Sequence, residues 1–121
     1  MALVLIVDDS PTEVHVMQKA LEKHGFDTAT AQDGKEGLRK ARDIKPDLIL
    51  MDVVMPGLNG FQATRELSRD PATAAIPVVM VTTKDLETDR IWGMRQGAVD
   101  YLVKPVSDAE LVRKAQAALS L

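Results

Sequence analysis

The chain of 121 residues contains no cysteine. A disulfide framework, thiol catalysis and a cysteine-based zinc site are therefore all excluded. The two histidines, His15 and His24, have no partner at metal-ligand spacing on one helix face, and we interpret both as surface residues. With neither thiolates nor a histidine pair to bind it, any metal ion would have to be held by oxygen ligands.

The sequence also lacks an excess of basic residues and a long hydrophobic run. Its net charge is −3 and its lysines and arginines are scattered, which argues against nucleic acid as a partner. No apolar stretch is long enough to span a bilayer, so no membrane insertion is expected. Asp8 and Asp9 come too early for a secretory signal peptide. We therefore expect a cytoplasmic protein of one globular domain.

Short apolar segments predict a buried sheet. Three of them are almost continuously apolar, namely Leu3–Val7, Leu48–Met51 and Ile76–Val81. Their length and their valine and isoleucine content favour strands that are buried on both faces, as in a parallel sheet. Two weaker candidates are Asp27–Ala31 and Val99–Val103, of which the first has little apolar content.

Helical patterns with start signals lie between these strands. Capping-box patterns begin at Ser10 and Ser107, and Asp33 and Asn59 can cap two further helices. A fourth helix is predicted from about Asp85 to Gln96. Alternating strands and helices with short connections imply an α/β fold, in which a doubly wound, five-stranded parallel sheet carries helices on both faces. No linker or repeat divides the chain, so residues 1–121 are expected to form one domain.

Polar residues stand where the predicted strands end. Asp8 and Asp9 follow the first strand, Asp52 follows the third, Thr82 ends the fourth and Lys104 ends the fifth. The carboxyl ends of parallel strands share one edge of a sheet, where ligands bind. Three clustered carboxylates repel one another unless a cation neutralises them or one is protonated. Oxygen ligands of this kind suit Mg²⁺ or a similar divalent ion such as Mn²⁺.

This arrangement is suited to phosphoryl transfer. An aspartate beside Mg²⁺ can act as a nucleophile and form an acyl phosphate, while Lys104 and Thr82 would hold the phosphoryl oxygens. Each residue alone has an ordinary explanation: acids stabilise helix starts, threonine favours strands and lysine is usually a surface charge. Their occurrence together at successive strand ends favours a site that accepts a phosphoryl group on Asp52.

Four segments in order, LIVDDS, LILMDVVMPGLNG, VVMVTT and DYLVKP, resemble the receiver domain of two-component response regulators. The resemblance to the chemotaxis regulator CheY extends along essentially the whole chain. It implies a flavodoxin-like sheet with strand order 2-1-3-4-5, and a single receiver domain over residues 1–121 with no attached output domain. It also implies a phosphoacceptor signalling domain, capable at most of self-phosphorylation from small donors and slow self-dephosphorylation, and not an enzyme.

The resemblance assigns a role to each site residue. Asp52 would be the phosphoacceptor, and Asp8, Asp9, Asp52 and the backbone carbonyl of Val54 would hold Mg²⁺ (or Mn²⁺). Lys104 would contact the phosphoryl group. The structural positions that it implies are a cis bond before Pro105, and Pro56, Gly57 and Gly60 in the loop after Asp52.

The same resemblance implies a switch and an output surface. Thr82 would be the switch hydroxyl, and Tyr101 the aromatic side chain that turns inward when Thr82 moves. The partner surface would comprise the fourth helix, fifth strand and fifth helix, with Tyr101 and Trp92 as contact residues. Trp92 has polar helical neighbours and is expected to be partly exposed, as a contact anchor or as a ring lying over its own helix. A CheA-type histidine kinase would be the phosphodonor, and the protein would be a monomer.

Two longer segments, MPGLNGFQATRELSRD and VTTKDLETDRIWGMRQGA, most resemble PilH-type regulators of pilus-driven twitching motility. Flagellar chemotaxis and a phosphate sink are the alternative outputs. Val54 and Lys84 occupy positions that tune phosphoaspartate lifetime in the family, and they argue against very rapid self-dephosphorylation.

Two other classes of protein fit the sequence less well. A phosphatase of the haloacid dehalogenase type needs a second acid two residues after its nucleophile, where this chain has Val54. A flavodoxin-like nucleotide or flavin module would need a glycine-rich phosphate loop after the first strand, where Asp8 and Asp9 stand. Both classes are disfavoured.

Overall fold

The computed structural model describes residues 2–120, in which five strands alternate with five helices. The strands are β1 (Leu3–Val7), β2 (Asp27–Ala31), β3 (Leu48–Met51), β4 (Val78–Thr82) and β5 (Asp100–Val103). The helices are α1 (Pro11–Lys23), α2 (Gly34–Ile44), α3 (Gly60–Arg69), α4 (Glu87–Arg95) and α5 (Asp108–Leu119). The predicted α/β alternation is confirmed.

The sheet is parallel throughout and has the order β2-β1-β3-β4-β5. This confirms the doubly wound topology and the strand order that the resemblance implies. In the register, Val7 at the end of β1 lies between Ala31 of β2 and Met51 of β3. The residues that directly follow β1 and β3 therefore leave the sheet side by side.

Helices cover the two faces of the sheet and create two apolar cores. Both clusters take alternate residues from the same strands, as expected when both faces of a strand are buried. The first core includes Leu5, Val7, Ile49, Met51 and Met80 of the sheet with Leu38, Ala41, Ala63 and Leu67 of α2 and α3. The second includes Val4, Ile6, Leu48, Leu50 and Val79 with Met17, Leu21, Leu111, Val112 and Ala115 of α1 and α5. Within residues 2–120, no helix combines the length and apolar character that crossing a membrane requires.

The predicted start signals cap their helices. The side chains of Ser10, Asp33, Asn59 and Ser107 each accept a hydrogen bond from the backbone N–H three residues further on. At Asn59 the reciprocal bond from its backbone N–H to Gln62 completes a capping box. Side-chain caps of this type typically stabilise a helix by about 1 kcal/mol.

Three elements have bounds that differ from the sequence prediction, among them β4, which also extends one residue further, to Thr82. β4 begins at Val78 and not at Ile76, because the N–H of Ile76 closes a turn on the Thr73 carbonyl. α4 spans Glu87–Arg95, a shorter segment than predicted, because Leu86 is its N-cap residue and its N–H is bonded to the Asp89 side chain. β5 begins one residue late, at Asp100.

Thr64 of α3 is fully buried, and its hydroxyl has no hydrogen-bond partner within residues 2–120. Because a buried unpaired hydroxyl keeps its desolvation cost, Thr64→Val should raise the free energy of unfolding by about 1 kcal/mol in chemical denaturation. Thr64→Ser is the matched control, since it keeps the hydroxyl, loses a methyl group and should lower stability. A less stable valine variant would contradict this account.

Candidate phosphoryl-acceptor and metal site

The residues that follow β1 supply two carboxylates in different environments. Asp8 is buried, and its carboxylate oxygens accept hydrogen bonds from the backbone N–H of Ser10 at 2.9 Å and from Nζ of Lys104 at 2.7 Å. Asp9 is exposed. One acid of the pair is therefore fixed by the protein, while its neighbour faces solvent.

Asp52 follows β3 and lies beside this pair. Its backbone N–H donates to the Val7 carbonyl at 2.9 Å, which continues the pairing of β3 with β1. Its Oδ1 accepts from the N–H of Val53 at 2.7 Å, and its Oδ2 lies 3.5 Å from Nζ of Lys104. The side chain is 9% exposed, so one oxygen is held by the backbone while the carboxylate keeps an opening to solvent.

Asp8, Asp9 and Asp52 each place a carboxylate oxygen within 4.8 Å of the other two. Within residues 2–120, Lys104 is the cation that forms salt bridges with this group. One ammonium cannot neutralise three carboxylates, so close packing leaves an uncompensated negative charge. Three oxygen donors with residual negative charge suit a hard divalent ion such as Mg²⁺. The residues present therefore fit the metal ion that the sequence predicts.

The pKa values of Asp52 and Lys104 are both raised, for different physical reasons. For Asp52, burial has the largest effect and raises the pKa, and the charge of Asp8 raises it further. The Lys104 charge and hydrogen bonds from Thr82 and Val53 lower the pKa, but the net change is upward. For Lys104, burial alone would lower the pKa. The hydrogen bond to Asp8 and the two carboxylate charges outweigh burial and raise it, so this lysine stays charged at neutral pH.

The backbone of Lys84 connects Thr82 with Tyr101. The N–H of Lys84 donates to the Thr82 hydroxyl at 3.3 Å, and the Tyr101 hydroxyl donates to the Lys84 carbonyl at 2.8 Å. Thr82 is fully buried at the end of β4. A displacement of the Thr82 hydroxyl would therefore act on the residue that holds the phenol.

Tyr101 is buried, with 4% of its surface exposed, so its ring already has the inward orientation that the resemblance assigns to the switched state, and in this orientation it is not a contact residue of the partner surface. Its ring packs against α4 at Gly93, where an added Cβ would lie 3.1 Å from the ring and 2.8 Å from the sulfur of Met80. Gly93 was not among the residues predicted from the sequence. The signal was a glycine inside a helical pattern, which often marks close packing.

The burial of Tyr101 predicts an unusual titration. Desolvation, followed by the charges of Asp89, Asp52 and Asp85, raises the pKa of Tyr101 to about 12. Because the folded protein holds this proton more tightly than the unfolded chain, the stability that it contributes is complete below the unfolded pKa and is lost as the pH rises through about 12.

Absorbance titration can measure this value directly, because the chain has one tyrosine. The same titration in denaturant should give a midpoint near ~10. A midpoint near ~10 in the folded protein would contradict the buried position of the ring.

The other predicted positions lie in the segments that follow β3 and β5 and on α4. The Lys104–Pro105 peptide is cis, and Gly57, next to Pro56, has a φ of 71° that favours glycine. Val54 is 56% exposed. Trp92 is 47% exposed, as expected, but it lies in a groove between α4 and α3.

Comparison with known proteins agrees with this geometry. The family model described as the response regulator receiver domain matches residues 4–116. The chain belongs to this family. The match covers the sheet except for Leu3 at the start of β1, and it includes the acidic residues at the sheet edge.

Several curated relatives share the receiver sequence. Protein PilH of Pseudomonas aeruginosa is 58% identical over 120 residues, covering 99% of each chain, which confirms the resemblance to PilH-type regulators. Response regulator PleD of Caulobacter vibrioides is 43% identical over 110 residues, which are 91% of this chain and 24% of that protein. The regulatory protein PhoP of Bacillus subtilis is 40% identical over 116 residues, 96% of this chain and 48% of that protein. This receiver domain therefore spans half or less of these two longer relatives.

Solved structures show the same architecture. Chemotaxis protein CheY4 of Vibrio cholerae superposes with a TM-score of 0.92 at 33% identity over 98% of each chain. The receiver domain of sensor histidine kinase PA1611 from Pseudomonas aeruginosa, which has a magnesium ion coordinated in its active-site cleft, gives 0.91 at 32% identity over 99% of this chain and 98% of that one. The CheY-like fold is confirmed.

Proposed function

We propose that this response regulator accepts one phosphoryl group on Asp52 from a histidine kinase, in the presence of Mg²⁺ or Mn²⁺. The observation that carries the proposal is the meeting of Asp8, Asp9 and Asp52 within 4.8 Å beside Lys104. A solvated surface cluster would not need a buried ammonium 2.7 Å from one acid. We further propose that residues 1–121 act as one receiver domain, in the cytoplasm and as a monomer.

Asp8, Asp9, Asp52 and the Val54 carbonyl would hold the ion. Asp9 is exposed and accepts no hydrogen bond within residues 2–120, so it is free to bind directly, whereas Asp8 is engaged by Ser10 and Lys104 and would act through water. When bound, the ion would neutralise the carboxylates and the incoming phosphoryl oxygens. The magnesium ion in the related PA1611 receiver domain supports this assignment.

The protein groups then have separate roles in the transfer. A carboxylate oxygen of Asp52 attacks phosphorus, and an O–P bond forms as the N–P bond to the donor histidine breaks. The bonding electron pair becomes the lone pair of that nitrogen, and the proton on the other ring nitrogen makes the leaving group a neutral imidazole. Lys104 binds the phosphoryl oxygens, and the Thr82 hydroxyl donates to one of them.

The switch follows from the connection through Lys84. When the Thr82 hydroxyl turns to the phosphoryl group, it stops accepting from the Lys84 N–H, and the contact between Lys84 and the Tyr101 hydroxyl is altered. Tyr101 packs on Gly93 of α4, so this change reaches the surface formed by α4, β5 and α5. Three apolar side chains are exposed in this region: Leu86 before α4, Ile91 on α4 and Val103 on β5. They are suited to contact with a downstream protein partner.

The output that we propose is a chemosensory system that controls type IV pilus twitching motility, with a CheA-type kinase as phosphodonor. Identity of 58% to Protein PilH over 99% of both chains supports it. Flagellar chemotaxis and a phosphate sink are the alternatives. We propose slow self-dephosphorylation and no phosphatase turnover, because Val54 stands where a second acid would be needed.

Intact-mass measurement with acetyl phosphate tests this function. Wild type with Mg²⁺ should gain the mass of one phosphoryl group, and the same sample with EDTA should gain much less. Asp52→Asn, which keeps the shape of the side chain, should gain none. Equal labelling of wild type and Asp52→Asn would overturn the assignment.

A further inference from the structure

A groove lies between α3 and α4, and none of its lining residues belongs to the acidic site. Arg65, Ser68 and Arg69 of α3 face Trp92, Arg95 and Gln96 at the end of α4. We call this the Arg–Trp groove; its volume is about 300 Å³. Three guanidinium groups and one indole thus meet on a protein of net charge −3.

Tight contacts fix the two walls of the groove. The Ser68 hydroxyl lies 2.8 Å from the Gln96 carbonyl and 2.9 Å from the Thr64 carbonyl, so it bridges the two helices. A Cβ at Gly97 would approach the Ser68 oxygen to 2.0 Å, which shows how closely the helix ends meet. The groove is therefore preformed, and binding in it does not require the helices to be ordered first.

The arginines of the groove have no acidic partner of their own. Arg65, Arg69 and Arg95 are exposed and form no salt bridge within residues 2–120. The adjacent acid Asp70 is engaged by Arg42 at 2.9 Å. Like-charged guanidinium groups held close together without a counter-charge favour an anionic ligand.

The shape and the aromatic side chain narrow the class of ligand. A groove of about 300 Å³ is at the small end for a ligand pocket, and this one opens along the boundary of two exposed helices. Arginine and tryptophan are the residues that most often dominate protein–protein contacts. The net charge of −3 disfavours nucleic acid, which needs a wider basic surface.

We propose that the Arg–Trp groove is a docking site for an acidic segment of a partner protein, in which carboxylates engage the three arginines and an apolar side chain packs on Trp92. The charge complementarity between unpaired guanidinium groups and carboxylates carries this proposal. The site is separate from the acidic pocket and from the exposed apolar residues Leu86, Ile91 and Val103.

Titration of the full, unphosphorylated chain with a blocked peptide of glutamate and leucine residues tests the proposal. Trp92 is the single tryptophan, so its emission reports on the groove, and calorimetry gives an independent affinity. The acidic peptide should bind saturably and shift the emission, whereas a peptide with glutamine in place of glutamate should not. Arg69→Gln should weaken binding by at least about tenfold, since a lost charged hydrogen bond costs more than ~1.4 kcal/mol.

Arg113→Gln is the matched control, because it removes an exposed arginine of α5 with the same change in net charge. It should leave the affinity within about twofold of wild type, since it is outside the groove. An equal loss in Arg69→Gln and Arg113→Gln, or no saturable binding, would overturn the proposal. Tighter binding of inorganic phosphate alone, or of oligo(dT), would also overturn it, in favour of a simple anion site or a nucleic-acid site.

Discussion

Replacing Lys104 with methionine should lower the free energy of unfolding of the metal-free protein by about 3–5 kcal/mol at neutral pH. The Lys104 ammonium lies 2.7 Å from Asp8 and 3.5 Å from Asp52, and its side chain is 10% exposed. Methionine has a similar length, but it leaves two buried carboxylates without a counter-charge. Urea denaturation in EDTA measures the loss.

Two further variants separate this charge effect from general effects of substitution. Lys19→Met removes an exposed lysine of α1 and should change stability by less than about 0.5 kcal/mol. Asp52→Asn should act in the opposite direction to Lys104→Met and stabilise the metal-free protein, because it removes one of the repelling carboxylates.

The pH dependence follows from the direction of the Asp52 pKa, which burial raises above its usual value. The folded protein therefore binds the Asp52 proton more tightly than the unfolded chain does. The stability that this proton contributes is complete below the unfolded pKa and is lost as the pH rises through the folded pKa. Asp52→Asn should remove this part of the pH dependence.

Added Mg²⁺ should stabilise wild type and partly rescue Lys104→Met, because the ion supplies positive charge to the same carboxylates. If Lys104→Met is as stable as Lys19→Met in EDTA, the account of Lys104 as the internal counter-ion is contradicted.

Replacing Gly60 with alanine should have the second large effect. Gly60 begins α3, and its N–H donates to the Val53 carbonyl at 2.9 Å. A Cβ at this position would lie 2.0 Å from the Asp52 carbonyl oxygen and 2.8 Å from the Val53 Cα. Both are backbone atoms that cannot rotate away, so the end of β3 must move. We expect the free energy of unfolding to fall by about 3 kcal/mol, as measured by chemical denaturation.

Gly57→Ala is the matched control from the same loop. Its φ of 71° disfavours alanine, but nothing lies within 4 Å of the added Cβ. The expected cost is about 1–2 kcal/mol of backbone strain. Folded Gly60→Ala protein should also accept less phosphoryl group than wild type, because its acceptor is displaced. Gly57→Ala should accept more phosphoryl group than Gly60→Ala does. Equal stability of the two variants would contradict the close packing of α3 on Asp52.

Periodicity and strand-end chemistry predict much of this molecule. The bounds of β1, β2 and β3 agree with the sequence prediction. The weakly apolar β2 could be predicted as well, because the alternation of strands and helices requires a strand between α1 and α2. The acids that meet at the sheet edge were all predicted, since parallel topology alone brings strand ends together.

Other features depend on contacts between residues far apart in the chain. The bond between Lys104 and Asp8 joins residues 96 positions apart, and the sequence pattern placed Lys104 at the edge without showing which acid it engages. The burial of Tyr101 depends on the missing side chain at Gly93. The groove that contains Trp92 depends on how α3 and α4 meet, which no pattern within one helix reports.

Mapping the phosphorylated residue tests the central claim most directly. Borohydride reduces an aspartyl phosphate to homoserine, so peptide mass spectrometry after reduction identifies the acceptor among neighbouring acids. After reaction with acetyl phosphate and Mg²⁺, homoserine is expected at position 52 and not at position 8 or 9. Homoserine at either of those positions, or none in fully folded protein, would contradict the account.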